Sequence, residues 1–158
     1  MAWRLLQDRL PTKTNLVKRR TLKQDAASCV AGYDHDETTS HLFILCDLFS
    51  SVWQHIRSWL GVAGADPSNI GDHLMQFIHC TGYSKRRRSF LHLIWLLGVW
   101  LIWNERNKRL FNNIQTPIIQ IIDKVKSHSY WWLKAKNVMF VYGSQSWWSN
   151  PLVCLGID

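Results

Sequence analysis

The sequence predicts a mainly α fold, in which a small loop-and-helix region precedes a helical hairpin. Two apolar stripes at helical spacing, one from Leu48 to Leu60 and one from Ile118 to Leu133, carry most of that expectation. The third observation is an uninterrupted apolar run, Phe90 to Trp103, of 14 residues with His92 inside it. Segments rich in Gly, Pro and Ser separate these stretches, as turns separate helices.

In chain order, Trp3, Leu5, Leu6 and Leu10 suit a short helix that stops near Pro11, because proline cannot continue the hydrogen-bond ladder. Thr12 or Thr14 then offers a hydroxyl to free backbone N–H groups and opens a second helix, which ends on Lys18-Arg19-Arg20 where cations match the helix dipole. From Thr21 to Thr39 periodicity disappears, and Ala31 to Asp36 reads as a turn-rich loop with room for a short hairpin. Ser40 is placed to cap a short helix from His41 to Cys46. Leu48, Val52, Ile56, Trp59 and Leu60 draw one stripe along the next helix, which Gly61 ends. The stretch Gly61 to Asn69 is the best linker candidate, followed by a short helix from about Ile70 to His79. A long helix from about Ser84 to Leu110 and another after Pro117 form the antiparallel hairpin, the second with Ile118, Ile121, Ile122, Val125, Trp132 and Leu133 on one face. The tail from Tyr142, with its glycine, serines and Pro151 around Trp147-Trp148, reads as irregular.

Composition limits the function classes. With 158 residues the chain can bury a real core but is too short for a polymerase. Apolar residues at 47% and 10 tryptophans exclude a disordered linker. A formal charge of +8 favours polyanions, whether nucleic acid or an anionic membrane surface. The Phe90–Trp103 run falls short of the ~20 apolar residues a membrane span needs, so it reads as a core helix, with an interfacial membrane helix as the minority alternative. The N-terminus lacks the apolar run of a secretory signal, and four widely spaced cysteines, Cys29, Cys46, Cys80 and Cys154, do not read as a disulfide framework. A nuclear or cytoplasmic, non-secreted protein with reduced thiols is the expectation.

Reduced thiols leave metal binding open. Cys29, His35, His41 and Cys46 fall within 18 residues, and thiolate and imidazole are the ligands zinc takes in tetrahedral structural sites. Cys29 can arrive from the loop while His41 and Cys46 approach from the short helix, with His35 as the doubtful fourth ligand and water or no metal as its rivals. The alternative makes Cys29 and Cys46 small buried hydrophobes. Four segments follow: a zinc-binding-like, zinc-knuckle-like region over 1–61, a linker and short helix over 62–83, the helical hairpin over 84–141, and the tail over 142–158.

Two basic clusters can meet the phosphates of RNA or DNA. Lys13, Lys18, Arg19, Arg20 and Lys23 lie beside the candidate metal loop; Lys85, Arg86, Arg87 and Arg88 precede the long helix, where a solvated helix entrance is the alternative. Trp53, Trp59, Trp95, Trp100 and Trp103 read as core at their helical spacing, whereas Trp147 and Trp148 can stack bases or pack on the helices. Asp34-His35-Asp36-Glu37 supplies hydrolase-type groups, but consecutive loop residues diverge and no second cluster completes a site. With no Gly-rich phosphate loop and no Gly-x-Ser-x-Gly elbow, the chain does not read as an enzyme.

The stretches "MAWRLLQDRLPTKTNLVKRR", "SCVAG" and "TTSHLFILCDLFSSVWQHIRSWLG" resemble, in order and spacing, the reverse transcriptase zinc-binding domain of plant LINE-type (non-LTR) retrotransposons. The later "IWLLGVWLIWNERNKRLFNN" is similar to the helical stretch that follows in the same elements. The resemblance implies a module C-terminal to a polymerase, holding one zinc through Cys, Cys, His and Cys. Cys29, His41 and Cys46 occupy three of those positions and Gly32 the fourth. It also implies a truncated remnant whose upstream polymerase region is missing, with a degenerate element of no specific activity as the alternative function.

Overall fold

The computed structural model describes residues 1–31, 34–79, 83–141 and 143–157. Its regular elements are all helical among the described residues: α1 (Ala2–Leu6), α2 (Lys13–Lys18), α3 (Asp47–Leu60), α4 (Ile70–Ile78), α5 (Lys85–Asn107), α6 (Ile118–Ala135) and α7 (Pro151–Leu155), with single turns between them. The mainly α expectation holds, and the one bridge between extended segments, Ser28 to Asp36, lies in the turn-rich loop.

Local chemistry explains most boundaries. Thr12 Oγ1 accepts from Asn15 N at the start of α2, and Asn69 Oδ1 accepts from Gly71 N and Asp72 N at the start of α4. Gly61, at φ 65°, closes α3 in the left-handed region that glycine adopts without a Cβ clash. One cap differs from expectation. Thr38, rather than Ser40, accepts from His41 N at 3.0 Å.

The core is aromatic. Helix α5 packs against α4 on one side and α6 on the other, with α3 crossing to both α5 and α6. Ile94, Trp95, Val99 and Ile102 of α5 meet Trp53 and Ile56 of α3 and Ile121, Ile122 and Val125 of α6 within one buried cluster. Gly98 permits the closest approach. A Cβ there would stand 2.9 Å from two ring carbons of Trp53. Every fully buried indole finds an acceptor, as burial of a polar N–H requires: Trp53 Nε1 donates to Phe43 O at 2.6 Å, Trp95 Nε1 to His73 Nδ1 at 2.9 Å, and Trp147 Nε1 to Lys126 O at 2.9 Å. Because an indole only donates, His73 Nδ1 must be unprotonated, so Nε2–H donates to Asp66 Oδ1 at 2.8 Å. Arg57 also reaches Asp66, which fastens the 61–69 segment to the bundle. His73 and Arg57 together hold the Asp66 carboxyl below its ordinary pKa against the opposing effect of burial.

Two sequence expectations are corrected here. The tail is not irregular throughout. It forms a 3-10 turn, Gln145–Trp148, and then α7, whose first residue is Pro151 and whose last is followed by Gly156 at φ 62°. Trp147 is 0% exposed and packs among Trp59, Phe90, Tyr130 and Phe140, so it is core rather than a stacking surface. Trp132, expected on the buried face of α6, is largely exposed, because Ser129 and Leu133 take that side of the helix.

The apolar run Phe90–Trp103 is a core helix, with Phe90, Leu91, Ile94, Trp95, Val99 and Ile102 all buried. Among the described residues, no helix is long and apolar enough to cross a membrane.

Candidate metal centre

Three side chains converge where the loop meets the start of α3. The loop is a short antiparallel clip: Cys29 N donates to His35 O at 2.8 Å, and Glu37 N donates to Ala27 O at 2.8 Å. Lys13 Nζ ties it to α2 through Ser28 O at 2.7 Å. The chain then makes a single π-helical turn, His41–Leu45, closed by Cys46 N to His41 O at 2.7 Å. That turn decides the site. On an α-helix, at 3.6 residues per turn, a residue five positions on lies about 140° round the axis, away from its partner. The i to i+5 closure of a π turn brings residue 46 back over residue 41.

The ligand atoms of Cys29, His41 and Cys46 all lie within 4.8 Å of one another, and all three residues are buried. Ligands at 2.0–2.3 Å from one tetrahedral zinc would stand roughly 3.3–3.8 Å apart, so modest closure of the group suits one ion. Whether the site fits a metal can be judged from His41. Its Nε2 is buried and has no hydrogen-bond partner among the described residues, and an orphaned buried nitrogen is costly unless something fills it. The donors are of zinc's preferred kind, and one nitrogen of the histidine has no partner among the described residues.

Electrostatics prepares two of the three. A hydrogen bond from the Cys29 thiol, aided by the N–H groups of Phe49 and Leu48 at the N-terminus of α3, lowers the Cys46 pKa to about 6. The same hydrogen bond, with burial, raises that of Cys29. Burial, with His35 alongside, keeps the His41 pKa below its ordinary value, so the imidazole is neutral and its lone pair available.

His35 stands near but outside the group. Its ring centroid is 5.2 Å from that of His41, and its side chain is exposed. Gly32 lies outside the described residues, as does Cys80. The acidic stretch diverges: Asp36 turns towards Gln24, while Glu37 turns inward.

Glu37 is the residue that sequence reasoning missed. Its carboxylate is 0% exposed and accepts from Arg106 Nη2 at 2.6 Å, Arg106 Nε at 3.0 Å and Lys13 N at 3.0 Å. Its carbonyl also accepts from Thr14 N at 3.3 Å. This ion pair clamps the metal loop to α2 and to the end of α5. No local signal could have found it, since the partners are 69 residues apart.

The basic residues divide by environment. Lys18, Arg19, Arg20 and Lys23 are exposed, with Lys18 Nζ 3.6 Å from Asp8 and Arg19 bonded to Arg9 O, while Lys13 is engaged by Ser28. Lys85, Arg86 and Arg88 are exposed at the start of α5, whereas Arg87 lies over the Tyr83 ring at 3.9 Å.

Residues 1–53 match the family described as zinc-binding in reverse transcriptase. The match supports a reverse transcriptase zinc-binding region in this third of the chain, where Cys29, His41 and Cys46 meet. No curated protein and no solved structure matches the chain.

Proposed function

We propose that the chain is a non-catalytic, retroelement-derived zinc module that associates with RNA or DNA through exposed basic residues. The observation that carries it is the convergence of Cys29, His41 and Cys46, with His41 Nε2 buried and without a partner among the described residues. Cys29, His41 and Cys46 would hold the zinc, with exposed His35 or a water as the fourth ligand. The ion supplies a fixed loop, not a reaction, as in structural zinc sites closed by protein donors. The motifs "RLPTK", "HLF..C" and "VW..I..WLG" support an origin in plant LINE-type elements. The net charge of +8 and the exposed Lys18, Arg19, Arg20, Lys85, Arg86 and Arg88 support phosphate neutralisation, in a nuclear or cytoplasmic setting.

Zinc content per purified chain tests the proposal. One zinc in the parent, lost in Cys46→Ser, is the expected result, and loss in His35→Ala would identify the fourth ligand. Zinc acquired only by Gly32→Cys would overturn a working site and leave a fossil one. RNA affinity should fall steeply with added salt, with a slope that flattens when Arg19 and Arg20 are both replaced by Ala.

A further inference from the structure

The C-terminal end of α6 and the following turn carry a surface that the zinc loop does not explain. From Lys124 to Ile157 the sequence holds Lys124, Lys126, Lys134 and Lys136 and no Asp or Glu. On this cationic ground three aromatic rings stand in a row. The centroid of Tyr130 is 5.3 Å from that of Trp131 and 6.3 Å from that of Trp148. Trp131 is 59% exposed and Trp148 48%. Each end of the row has an ammonium beside it. Lys134 Nζ is 5.0 Å from the Trp131 centroid, and Lys126 Nζ donates to Trp148 O at 3.0 Å.

Exposing indoles is unfavourable in water; this chain buries Trp53, Trp95 and Trp147 completely, and of the indoles it leaves exposed, Trp131 and Trp148 gather around Tyr130. The row is also firmly supported. Tyr130 stacks on Phe140 at 5.2 Å, and Phe140 packs against buried Trp147, so the rings rest on the core rather than on a loose tail. Rings at successive short spacings, with one ammonium over Trp131 and another beside Trp148, match the two requirements of a single nucleic-acid strand, faces for bases and cations for phosphates. An anionic membrane would instead favour a continuous apolar helix face, whereas the exposed side of α6 ahead of Trp131 follows Ile119 with Gln120, Asp123 and His128.

We infer that Tyr130, Trp131 and Trp148, with Lys126 and Lys134, form a stacking platform for single-stranded nucleic acid, distinct from the basic cluster beside the zinc loop. The inference rests on the nucleic-acid reading above and gives it a second location and a preference for single strands over duplex.

The full chain, zinc-loaded, is titrated against a fluorescent oligothymidylate, against a duplex of equal length, and against vesicles of phosphatidylserine in phosphatidylcholine. Trp131→Ala and Trp148→Ala should each weaken oligothymidylate binding about fivefold or more. Trp131→Phe should restore much of it, and duplex binding should change little. Both indoles are at the surface, so circular dichroism of the variants should match the parent. If the alanine variants bind the oligonucleotide as well as the parent while Arg19→Ala/Arg20→Ala does not, the platform is refuted and the first reading stands. If the parent binds no nucleic acid, both fall. Loss confined to vesicle binding would make this a membrane face and overturn the inference.

Discussion

The metal loop and the helical bundle share one core but are fixed in different ways. Between Ala27 and Cys46 the chain buries Leu42, Phe43 and Ile44 and adds a clip of two hydrogen bonds, one π turn and a buried ion pair, with three donor atoms turned towards one point. The bundle of α3, α4, α5 and α6 relies on interlocked aromatic rings, each buried indole N–H satisfied by an acceptor from another element. Polar clips fix direction but contribute little net stability, whereas burial of large rings contributes much and fixes direction only loosely. The loop therefore depends on its neighbours and its ion; the bundle depends on its own volume.

The comparison is broken most severely at the residues that join or fill the two regions. Arg106→Ala leaves Glu37 buried and uncompensated, and should cost about 3–5 kcal/mol in urea denaturation while also lowering zinc affinity. Trp147→Ala should cost a similar ~3–5 kcal/mol, but with zinc stoichiometry unchanged, since Trp147 fills only the bundle. Equal loss of zinc in both variants would mean that loop and bundle are one cooperative unit.

Smaller effects sharpen the contrast. Gly98→Ala drives a methyl against Trp53 and should cost about 1–3 kcal/mol in thermal unfolding, again without touching the metal. Chelation should do the reverse: amide exchange should quicken over residues 27–46 while the helical circular dichroism of α3, α5 and α6 persists.

The finest test is protonic. Near neutral pH Cys46 is already a thiolate, with a pKa of about 6, and His41 is neutral, while Cys29 retains its proton. Zinc uptake should then release about one proton, measured by calorimetry in buffers of different ionisation enthalpy. Affinity should fall more steeply once pH drops below about 6, where Cys46 must also surrender a proton to the solvent before it can bind. Release of about two protons at pH 7 would show that the α3 N-terminus does not hold a thiolate.

Much of this was readable in advance because it is local. The helix boundaries at Thr12, Gly61 and Asn69 follow from side chains one to three residues away, and the α3 stripe follows from periodicity. Cys29, His41 and Cys46 were legible as donors by type and by resemblance. Their actual convergence required a π turn, which no residue between His41 and Leu45 announces. The tail misled because Gly143, Ser144 and Pro151 carry turn signals whatever follows them, and the burial of Trp147 depends on Trp59 and Phe90, which lie far off in sequence.

The sequence by itself determined which segments up to α6 become helices, what donors the loop carries and how positive the chain is, because caps, periodicity and charge act over a turn or less. Only the tertiary structure decided that Glu37 meets Arg106, that Trp147 is core while Trp131 is surface, and that three donors share one point. Those outcomes depend on close packing between residues tens of positions apart, where a single ångström of helix approach decides what is buried and what stays in water.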